Sequence, residues 1–293
     1  MATEEAWLAA MTFRFNLVDR LTLAYLGYVI ALVLVCRGQV GRWHEIALIH
    51  LGLMAGIALL ARFREGGPRW LQFLSHWYPV GLFGFLFEEI GQIVHAVYPG
   101  WQDRWLIAAD YAMFGAHPTV WVEQFSSYWL TEYMQLVYTS YLFLIPAFGA
   151  YLWMRGRRDG FELYLVSMCV TYYLCYLIFV LFPIESPHHT LAHLQGVELT
   201  GGPFTAFINL IEKHGRVHGG AFPSTHVAGA WVVLISAFRS GRRAGLALLP
   251  LVLSISAATV YGRYHYVSDV IAGVGMACLG CWLGARLVRR ERR

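Results

Sequence analysis

Residues 223–287 read PSTHVAGAWVVLISAFRSGRRAGLALLPLVLSISAATVYGRYHYVSDVIAGVGMACLGCWLGARL, which is three apolar blocks separated by two short polar breaks. The blocks, at about 223–240, 244–262 and 267–287, approach or reach the roughly 20 apolar residues that a helix needs to cross a bilayer. This stretch therefore predicts three consecutive membrane-spanning helices.

The rest of the chain has the same character. Its 293 residues are 58% apolar and 14% charged, with a mean hydropathy of +0.50, whereas a soluble domain carries nearly twice that share of charge. The fold class predicted is all-α, a polytopic membrane helical bundle of about eight spans. The five further spans are expected at about 17–36, 44–61, 77–97, 130–154 and 161–182.

Two segments between the predicted spans are longer than a turn. Residues 99–129 mix charges with large aromatic side chains and are predicted to lie at the membrane interface. Residues 183–222 are rich in Gly, His and Pro and are predicted to be one long polar loop. The five Cys residues all fall in apolar segments, so we expect them to pack in the bundle and to form neither disulfides nor a metal site.

The basic residues predict the orientation. Sixteen of the 22 Lys and Arg residues fall on the side that holds both predicted termini, and six fall on the other. Because cytoplasmic loops carry the excess of Lys and Arg, both termini are expected in the cytoplasm. Residues 99–129, 183–222 and 263–266 then face the periplasm, lumen or exterior. The net charge of +4 reflects these membrane-flanking Arg residues, and no nucleic-acid partner is expected.

The first motif with chemical content is GGAFPSTHVAGA (219–230), at the start of the sixth predicted span. Pro223 suits a first helical turn, where its missing N–H would have no partner. Ser224 and Thr225 then place hydroxyls and backbone N–H groups at a helix N-terminus, which favours phosphate binding. His226 lies in the same turn.

The second motif is TVYGRYHYVSDVIAG (259–273), where the seventh span leads into the eighth. His265 and Asp269 are four residues apart, so one helical turn lets the carboxylate fix one imidazole nitrogen and raise the basicity of the other. Two spans separate His226 from His265, so both lie at one membrane face. A nucleophilic His, a second His as acid, an Arg and a helix N-terminus together suit phosphoryl transfer.

The two motifs resemble the second and third signatures of the type-2 phosphatidic acid phosphatase superfamily, in which P-S-x-H precedes a distal H-x3-D. The resemblance implies a six-span catalytic core at 77–293, with two accessory spans in 1–76. It also implies that His265 is the nucleophile that forms a phosphohistidine, that Asp269 orients it and that His226 protonates the leaving group. No cofactor and no metal ion are implied.

The chain departs from the phosphatases of that superfamily, which carry a Lys-x6-Arg-Pro signature, since it contains no Arg-Pro dipeptide. LFPIESPHHT (181–190) places His188 where a phosphate-binding Arg is expected. Thr259 stands where the phosphatases have a further Arg, but a helix would present Arg263 on the same side as Thr259. The expected substrate-binding residues are therefore Arg263, Ser224, Thr225 and His188.

These departures are similar to the branch that contains inositol phosphorylceramide synthases, enzymes that transfer a phospho-headgroup between lipids. The D-x6-D and FGAHP of residues 103–123 are also similar to bacterial members of that branch. The expected function is therefore a membrane-embedded lipid phosphotransferase, with a lipid phosphate or phosphodiester as substrate and a lipid alcohol as acceptor.

Alternative functions use the same features. A lipid phosphate phosphatase would keep the same residues and use water as acceptor. A non-catalytic lipid-binding or transport protein is disfavoured by the intact His pair. A metal-dependent alcohol phosphotransferase would need Asp residues around D-G-x2-A-R, which the chain lacks.

Other polar residues receive structural interpretations. The spacings His189-x3-His193 and His214-x3-His218 permit a metal site, but there is no H-E-x-x-H or carboxylate cluster, so solvated loop histidines and no metal are expected. Glu88 and Glu89 lie inside the third predicted span, where carboxylates are costly, and structural pairing with Arg or Tyr neighbours is favoured over headgroup binding.

Overall fold

The structure, a computed structural model, describes residues 15–65, 68–215 and 218–293. The described residues form ten helices of 12 residues or more, numbered here in chain order. They are α1 (Leu17–Val35), α2 (Trp43–Ala61), α3 (Arg69–Ile93), α4 (Asp103–Phe114), α5 (Tyr128–Met154), α6 (Arg158–Leu181), α7 (Pro203–Gly215), α8 (Thr225–Ser240), α9 (Arg242–Tyr261) and α10 (Val267–Glu291). Single helical turns are found at Pro118–Trp121, Val122–Phe125, Pro187–Thr190 and Ala192–Leu194.

Six of these helices, α1, α2, α5, α6, α9 and α10, are long and apolar enough to cross a membrane. The chain is therefore an integral membrane protein, and the all-α bundle is confirmed. Two of the eight predicted spans do not reach this standard. Helix α8 has 16 residues, or about 24 Å of helix against a hydrocarbon core of about 30 Å. Helix α3 is long enough but carries polar side chains along its length, so both crossings stay predictions.

Helix α6 is the centre of the bundle. In its apolar stretch of 18 residues, 78% of the residues are buried, compared with 39% or less in the corresponding stretches of the other five candidate spans. It packs against α1, α3, α5, α8 and α10. Helix α10 approaches α6 closely because Gly280 lacks a side chain, since a Cβ there would lie 1.9 Å from Thr171 Oγ1. The predicted division into accessory spans and a catalytic core stays a prediction.

Helices α8, α9 and α10 form an up-and-down array. Only Gly241 separates α8 from α9, so the two helices run antiparallel, and a short turn of residues 262–266 leads from α9 into α10. The start of α8 and the turn before α10 therefore lie at one end of the bundle, which is the arrangement that the sequence predicts for His226 and His265.

Helix α7 lies within the segment predicted to be one polar loop, and that prediction is wrong here. PFTAFINLI (203–211) carries apolar residues at helical spacing, and Ile208 is buried while Phe207 and Leu210 are exposed. Glu132 of α5 holds the start of α7. Its carboxylate accepts the N–H groups of Gly202 at 2.6 Å, Phe204 at 2.6 Å and Thr205 at 3.2 Å.

Replacing Glu132 by alanine should loosen α7, because its first N–H groups lose their acceptor. Losing a helix cap costs about 1–2 kcal/mol, so amide exchange in 203–215 should speed up by about 5–30-fold. Hydrogen exchange of the purified protein, followed by mass spectrometry, measures this. Glu132→Gln keeps one oxygen acceptor and should show a smaller effect. Unchanged exchange in the alanine variant would contradict the anchoring role.

Candidate active site

Two imidazoles meet at one end of the bundle. His226 is in the first turn of α8, and His265 lies in the turn between α9 and α10. His265 Nε2 is 3.5 Å from His226 Nδ1, and the ring centroids are 5.6 Å apart. Since 39 residues separate them along the chain, this contact confirms the predicted convergence of the pair.

Hydrogen bonds assign the tautomers of the pair. Asp269 Oδ2 lies 3.4 Å from His265 Nδ1, so Nδ1 carries the proton and Nε2 keeps a lone pair. Tyr138 Oη lies 3.1 Å from His226 Nε2. Nδ1 of His226 faces the lone pair of His265 Nε2 and therefore carries a proton. The pair therefore presents a nucleophilic nitrogen beside an N–H donor.

The carboxylate reaches His265 by a different route from the predicted helical turn. His265 precedes α10, and Tyr266 is the N-cap of that helix. Asp269 is the third residue of α10, and its Oδ2 also accepts the Tyr266 N–H at 2.9 Å. The hydrogen bond from the Tyr266 backbone N–H thus holds the Asp269 carboxylate in place beside the imidazole of His265.

The start of α8 is held against α10. Ser224 is the N-cap, and its hydroxyl accepts the Val227 N–H at 3.3 Å. Pro223 precedes the cap, so its predicted place in the first helical turn is wrong. Gly273 of α10 allows the close approach, because a Cβ there would lie 2.7 Å from the Ser224 carbonyl oxygen. Thr225 lines the cavity beside the imidazole pair.

A cavity of about 380 Å³ opens from the imidazole pair. Its walls come from α3, α5, α6 and α7 and are mainly apolar and aromatic, and they include Phe87, Tyr141, Leu142, Tyr176 and Ile208. The described lining includes two carboxylates, Glu88 and Glu185, and no Lys or Arg. An apolar pocket that ends in a few convergent polar groups suits a lipid with its headgroup at the imidazoles.

Arg263 is not brought to the cavity. Its guanidinium donates to Glu123 Oε1 at 2.7 Å and to the Val197 carbonyl oxygen. The predicted helical face shared with Thr259 is wrong, because α9 ends at Tyr261 and Arg263 has a φ of 64°. A direct contact between Arg263 and phosphate therefore stays a prediction, and it requires the ion pair to open.

His188 also lies outside the cavity lining. Its backbone N–H donates to the Arg263 carbonyl oxygen at 3.0 Å. Its ring contacts the ring of His189, and the two ring centroids are 5.0 Å apart. The predicted phosphate contact of His188 stays a prediction. Among the four predicted substrate-binding residues, only Thr225 lies on the cavity wall, while Ser224 acts there as a helix cap.

Helix α4 supplies contacts that the motifs did not reveal. The buried Asp103 accepts the N–H of Glu185 at 2.9 Å and of Ser186 at 3.2 Å, and the hydroxyl of Tyr266 at 2.9 Å. Burial raises the pKa of Asp103 above its usual range, although these hydrogen bonds act in the opposite direction. One carboxylate thus ties the loop after α6 to the residue that follows His265.

Asp110, two helical turns further along α4, holds the start of α10. Its two oxygens accept the N–H groups of Val267 at 2.8 Å and Ser268 at 2.9 Å. The spacing of seven residues predicts a common helix face for Asp103 and Asp110. It does not predict their partners, which lie more than 80 residues away.

Replacing Asp110 by alanine should lower turnover by about 10–100-fold, because the turn that carries His265 loses its anchor and a shift of about 1 Å has that effect. Steady-state rates with a labelled lipid substrate measure this. Asp110→Asn keeps one acceptor and should recover part of the loss, with KM little changed in both variants. A rate for Asp110→Ala within two-fold of wild type would exclude the positioning role.

The two neighbouring carboxylates of α3, Glu88 and Glu89, have different surroundings. Glu89 pairs with His50 of α2, with Oε2 and Nε2 3.2 Å apart and both side chains buried. The favoured structural pairing is found for Glu89, although its partner is a His and not an Arg or Tyr. Glu88 instead lines the cavity.

One group of side chains has the composition of a metal site. Glu185, His189 and His218 each offer one ligand atom, and these atoms lie within 4.8 Å of one another. The group takes one His from each of the two His-x3-His spacings in the sequence, and its carboxylate is absent from both. Sequence spacing alone therefore does not predict this group.

The comparisons with known proteins agree with this geometry. The family model described as the PAP2 superfamily matches residues 104–283, which include His226, His265 and Asp269. A PA-phosphatase related-family protein of Dictyostelium discoideum is 27% identical over 117 residues, which are 39% of this chain and 21% of that protein. The chain thus matches about a fifth of that relative's length. No solved structure matches the chain. Because the family model covers more than half of its residues, the chain belongs to the PAP2 superfamily.

Proposed function

We propose that this chain is a lipid phosphotransferase that moves a phospho-headgroup from a phosphodiester lipid to a lipid alcohol through a phosphohistidine at His265. At the general level, the superfamily comprises phosphatases and phosphotransferases, and this member is a membrane protein. The observation that carries the proposal is the contact of 3.5 Å between His265 Nε2 and His226 Nδ1, both of which line a mainly apolar cavity.

The first half-reaction loads His265. The lone pair on Nε2 attacks phosphorus and forms an N–P bond, while the bond from phosphorus to the oxygen of the leaving lipid alcohol breaks. His226 enters this step as the imidazolium, a form that the negative charge of the bound phosphodiester favours, with its Nε2–H donating to the Tyr138 hydroxyl. Its Nδ1 gives a proton to that oxygen, so the alcohol leaves neutral and His226 is left as a neutral imidazole. Asp269 stabilises the positive charge that develops on the ring of His265.

The second half-reaction unloads it. The hydroxyl of the acceptor lipid gives its proton to His226 Nδ1, and its oxygen attacks the phosphorus. The N–P bond breaks, and its electron pair returns to His265 Nε2. Both imidazoles recover their starting protonation, so no further reactant is needed.

The charge of the cavity supports a phosphodiester donor. A phosphate monoester carries about 1.5–2 negative charges at pH 7, whereas a phosphodiester carries one. The described lining holds two carboxylates and no Lys or Arg, so the more charged headgroup is disfavoured there. The mainly apolar wall favours an acceptor with an acyl chain over water.

The alternative is a lipid phosphate phosphatase with water as acceptor. The observation that favours it is the name of the Dictyostelium discoideum relative, a PA-phosphatase related-family protein. The same His265, His226 and Asp269 would serve, since only the acceptor of the second half-reaction differs.

We also propose that the site faces away from the cytoplasm and that both termini are cytoplasmic. The excess of Lys and Arg on the side of the termini supports this orientation.

A turnover assay on the purified chain tests the proposed reaction. Phosphodiester lipids with labelled headgroups and phosphatidic acid with labelled phosphate are offered in turn, each with ceramide or diacylglycerol as acceptor. Labelled headgroup on the acceptor supports the transferase. Release of free phosphate from phosphatidic acid, without headgroup transfer, would show that the chain is a phosphatase and not a transferase. No turnover of any donor would overturn both.

A further inference from the structure

Glu185, His189 and His218 lie together, and none of them belongs to the imidazole pair. His218 Nδ1 is 3.4 Å from Glu185 Oε1, and all three ligand atoms lie within 4.8 Å of one another. Glu185 also lines the cavity. We propose that these three side chains bind one Zn²⁺ ion.

The backbone brings the three ligands together. Ile184 and Gly220 form a parallel bridge, which sets Glu185 and His218 on adjoining strands of chain. Asp103 fixes the backbone N–H of Glu185 at 2.9 Å. His189 lies in the single helical turn Pro187–Thr190, so it projects from the same short segment as Glu185. Backbone contacts therefore hold Glu185, His189 and His218 near one another.

The distances suit zinc after a small movement. Zinc binds His nitrogen and carboxylate oxygen at about 2.0–2.2 Å, so tetrahedral ligand atoms lie roughly 3.3–3.6 Å apart. The Glu185–His218 pair is already at 3.4 Å. The rings of His189 and His218 are stacked, with centroids 5.0 Å apart, and must rotate to point both nitrogens at one ion. Both His residues are exposed, so this rotation does not require the buried core to move.

The ligand types select the metal. Two imidazoles and one carboxylate match the ligands of zinc sites that keep an open position for water. Magnesium and calcium prefer sets made of oxygen alone, so they fit this site less well.

The ion would act on the cavity through Glu185. Of the two carboxylates in the described lining, Glu185 would have its charge offset by zinc, which favours the approach of an anionic phosphate. This consequence rests on the proposed function, whereas the binding of zinc does not.

Direct metal binding tests the site without any turnover. The full chain is purified, stripped with a chelator and titrated with Zn²⁺, and bound metal is counted by mass spectrometry of the protein fraction. We expect one high-affinity equivalent. Affinity should fall at least ten-fold in Glu185→Gln, His189→Ala and His218→Ala. His193→Ala, a loop histidine outside the group, should bind as the wild type does. If Glu185→Gln, His189→Ala and His218→Ala all bound Zn²⁺ with the wild-type affinity, the proposed site would be overturned.

Cobalt(II) gives a second readout. In place of zinc it should show the strong visible absorption of a tetrahedral ion, and His218→Ala should lose that signal. A spectrum of hexa-aqua cobalt in the wild type would overturn the proposed ligand set.

The link to the cavity is tested separately by turnover. Zinc should lower KM for the phosphodiester donor several-fold in the wild type and leave KM unchanged in Glu185→Gln. An equal zinc effect in both proteins would overturn the link. If no donor turns over, the proposed function fails while the binding result stands by itself.

Discussion

Replacing His265 by alanine is expected to lower phosphoryl transfer by at least about a thousand-fold, because the alanine side chain has no lone pair with which to form the N–P bond. The labelled phosphoenzyme should disappear as well. It is measured by quenching the wild type during turnover and recovering protein-bound label that is stable in base and lost in acid, the behaviour of a phosphohistidine. Rates are taken with the labelled phosphodiester donor under the same conditions.

Two matched variants make this result specific. His193→Ala removes a loop imidazole outside the site and should keep the wild-type rate. His226→Ala should regain part of its rate with a nitrophenyl phosphodiester, whose leaving group needs no proton, whereas His265→Ala should not. Since His265 is only 3% exposed, circular dichroism and gel filtration must show that its variant is folded. Phosphoenzyme retained in folded His265→Ala would assign the nucleophile elsewhere.

The fold and the imidazole pair could be predicted because both depend on local signals. Long apolar blocks predict spanning helices by length alone, and two intervening spans return the chain to the same face. Such parity does not depend on the exact ends of the helices. The two imidazoles therefore meet as predicted, although the predicted bounds of α8 and the predicted place of Pro223 were wrong.

The surroundings of the pair could not be predicted, because they depend on distant partners. Arg263 forms an ion pair with Glu123, which lies 140 residues earlier in the chain. The residues next to Arg263 in the sequence do not indicate this partner. The assumption that α9 continues to Arg263 was wrong for a local reason, since Gly262 follows the last helical residue. The contacts of Asp103 and Asp110 likewise join α4 to segments that come much later.

Helix α7 and the zinc ligands show a different limit. The apolar spacing in PFTAFINLI was present in the sequence, but its polar flanks made the whole segment resemble a loop. Metal-ligand spacing within a single short motif does not reveal this group. The structure instead combines His189 and His218 from separate motifs with Glu185, and the Ile184–Gly220 bridge helps to bring Glu185 near His218.

Replacing Asp269 by asparagine should lower turnover by about 100–1,000-fold, and the geometry says which property is lost. Asp269 Oδ2 contacts both His265 Nδ1 and the Tyr266 N–H, so the amide oxygen of asparagine should take that position and keep the tautomer of His265. Only the negative charge is then removed. A charge pair about 4 Å apart is worth about 4 kcal/mol at an effective dielectric constant of 20, which sets the upper end of the loss.

Asp269→Ala removes the charge and the oxygen together, and it should be slower than Asp269→Asn. The order of the two variants therefore tests the hydrogen-bond assignment. If the amide turned around, its NH₂ would donate to Nδ1 and hold the proton on Nε2, as happens when a catalytic-triad aspartate is changed to asparagine. Asparagine would then be the slower variant. Nitrogen NMR of labelled His265 in Asp269→Asn decides the point independently: a proton on Nδ1 agrees with the assignment, and a proton on Nε2 contradicts it.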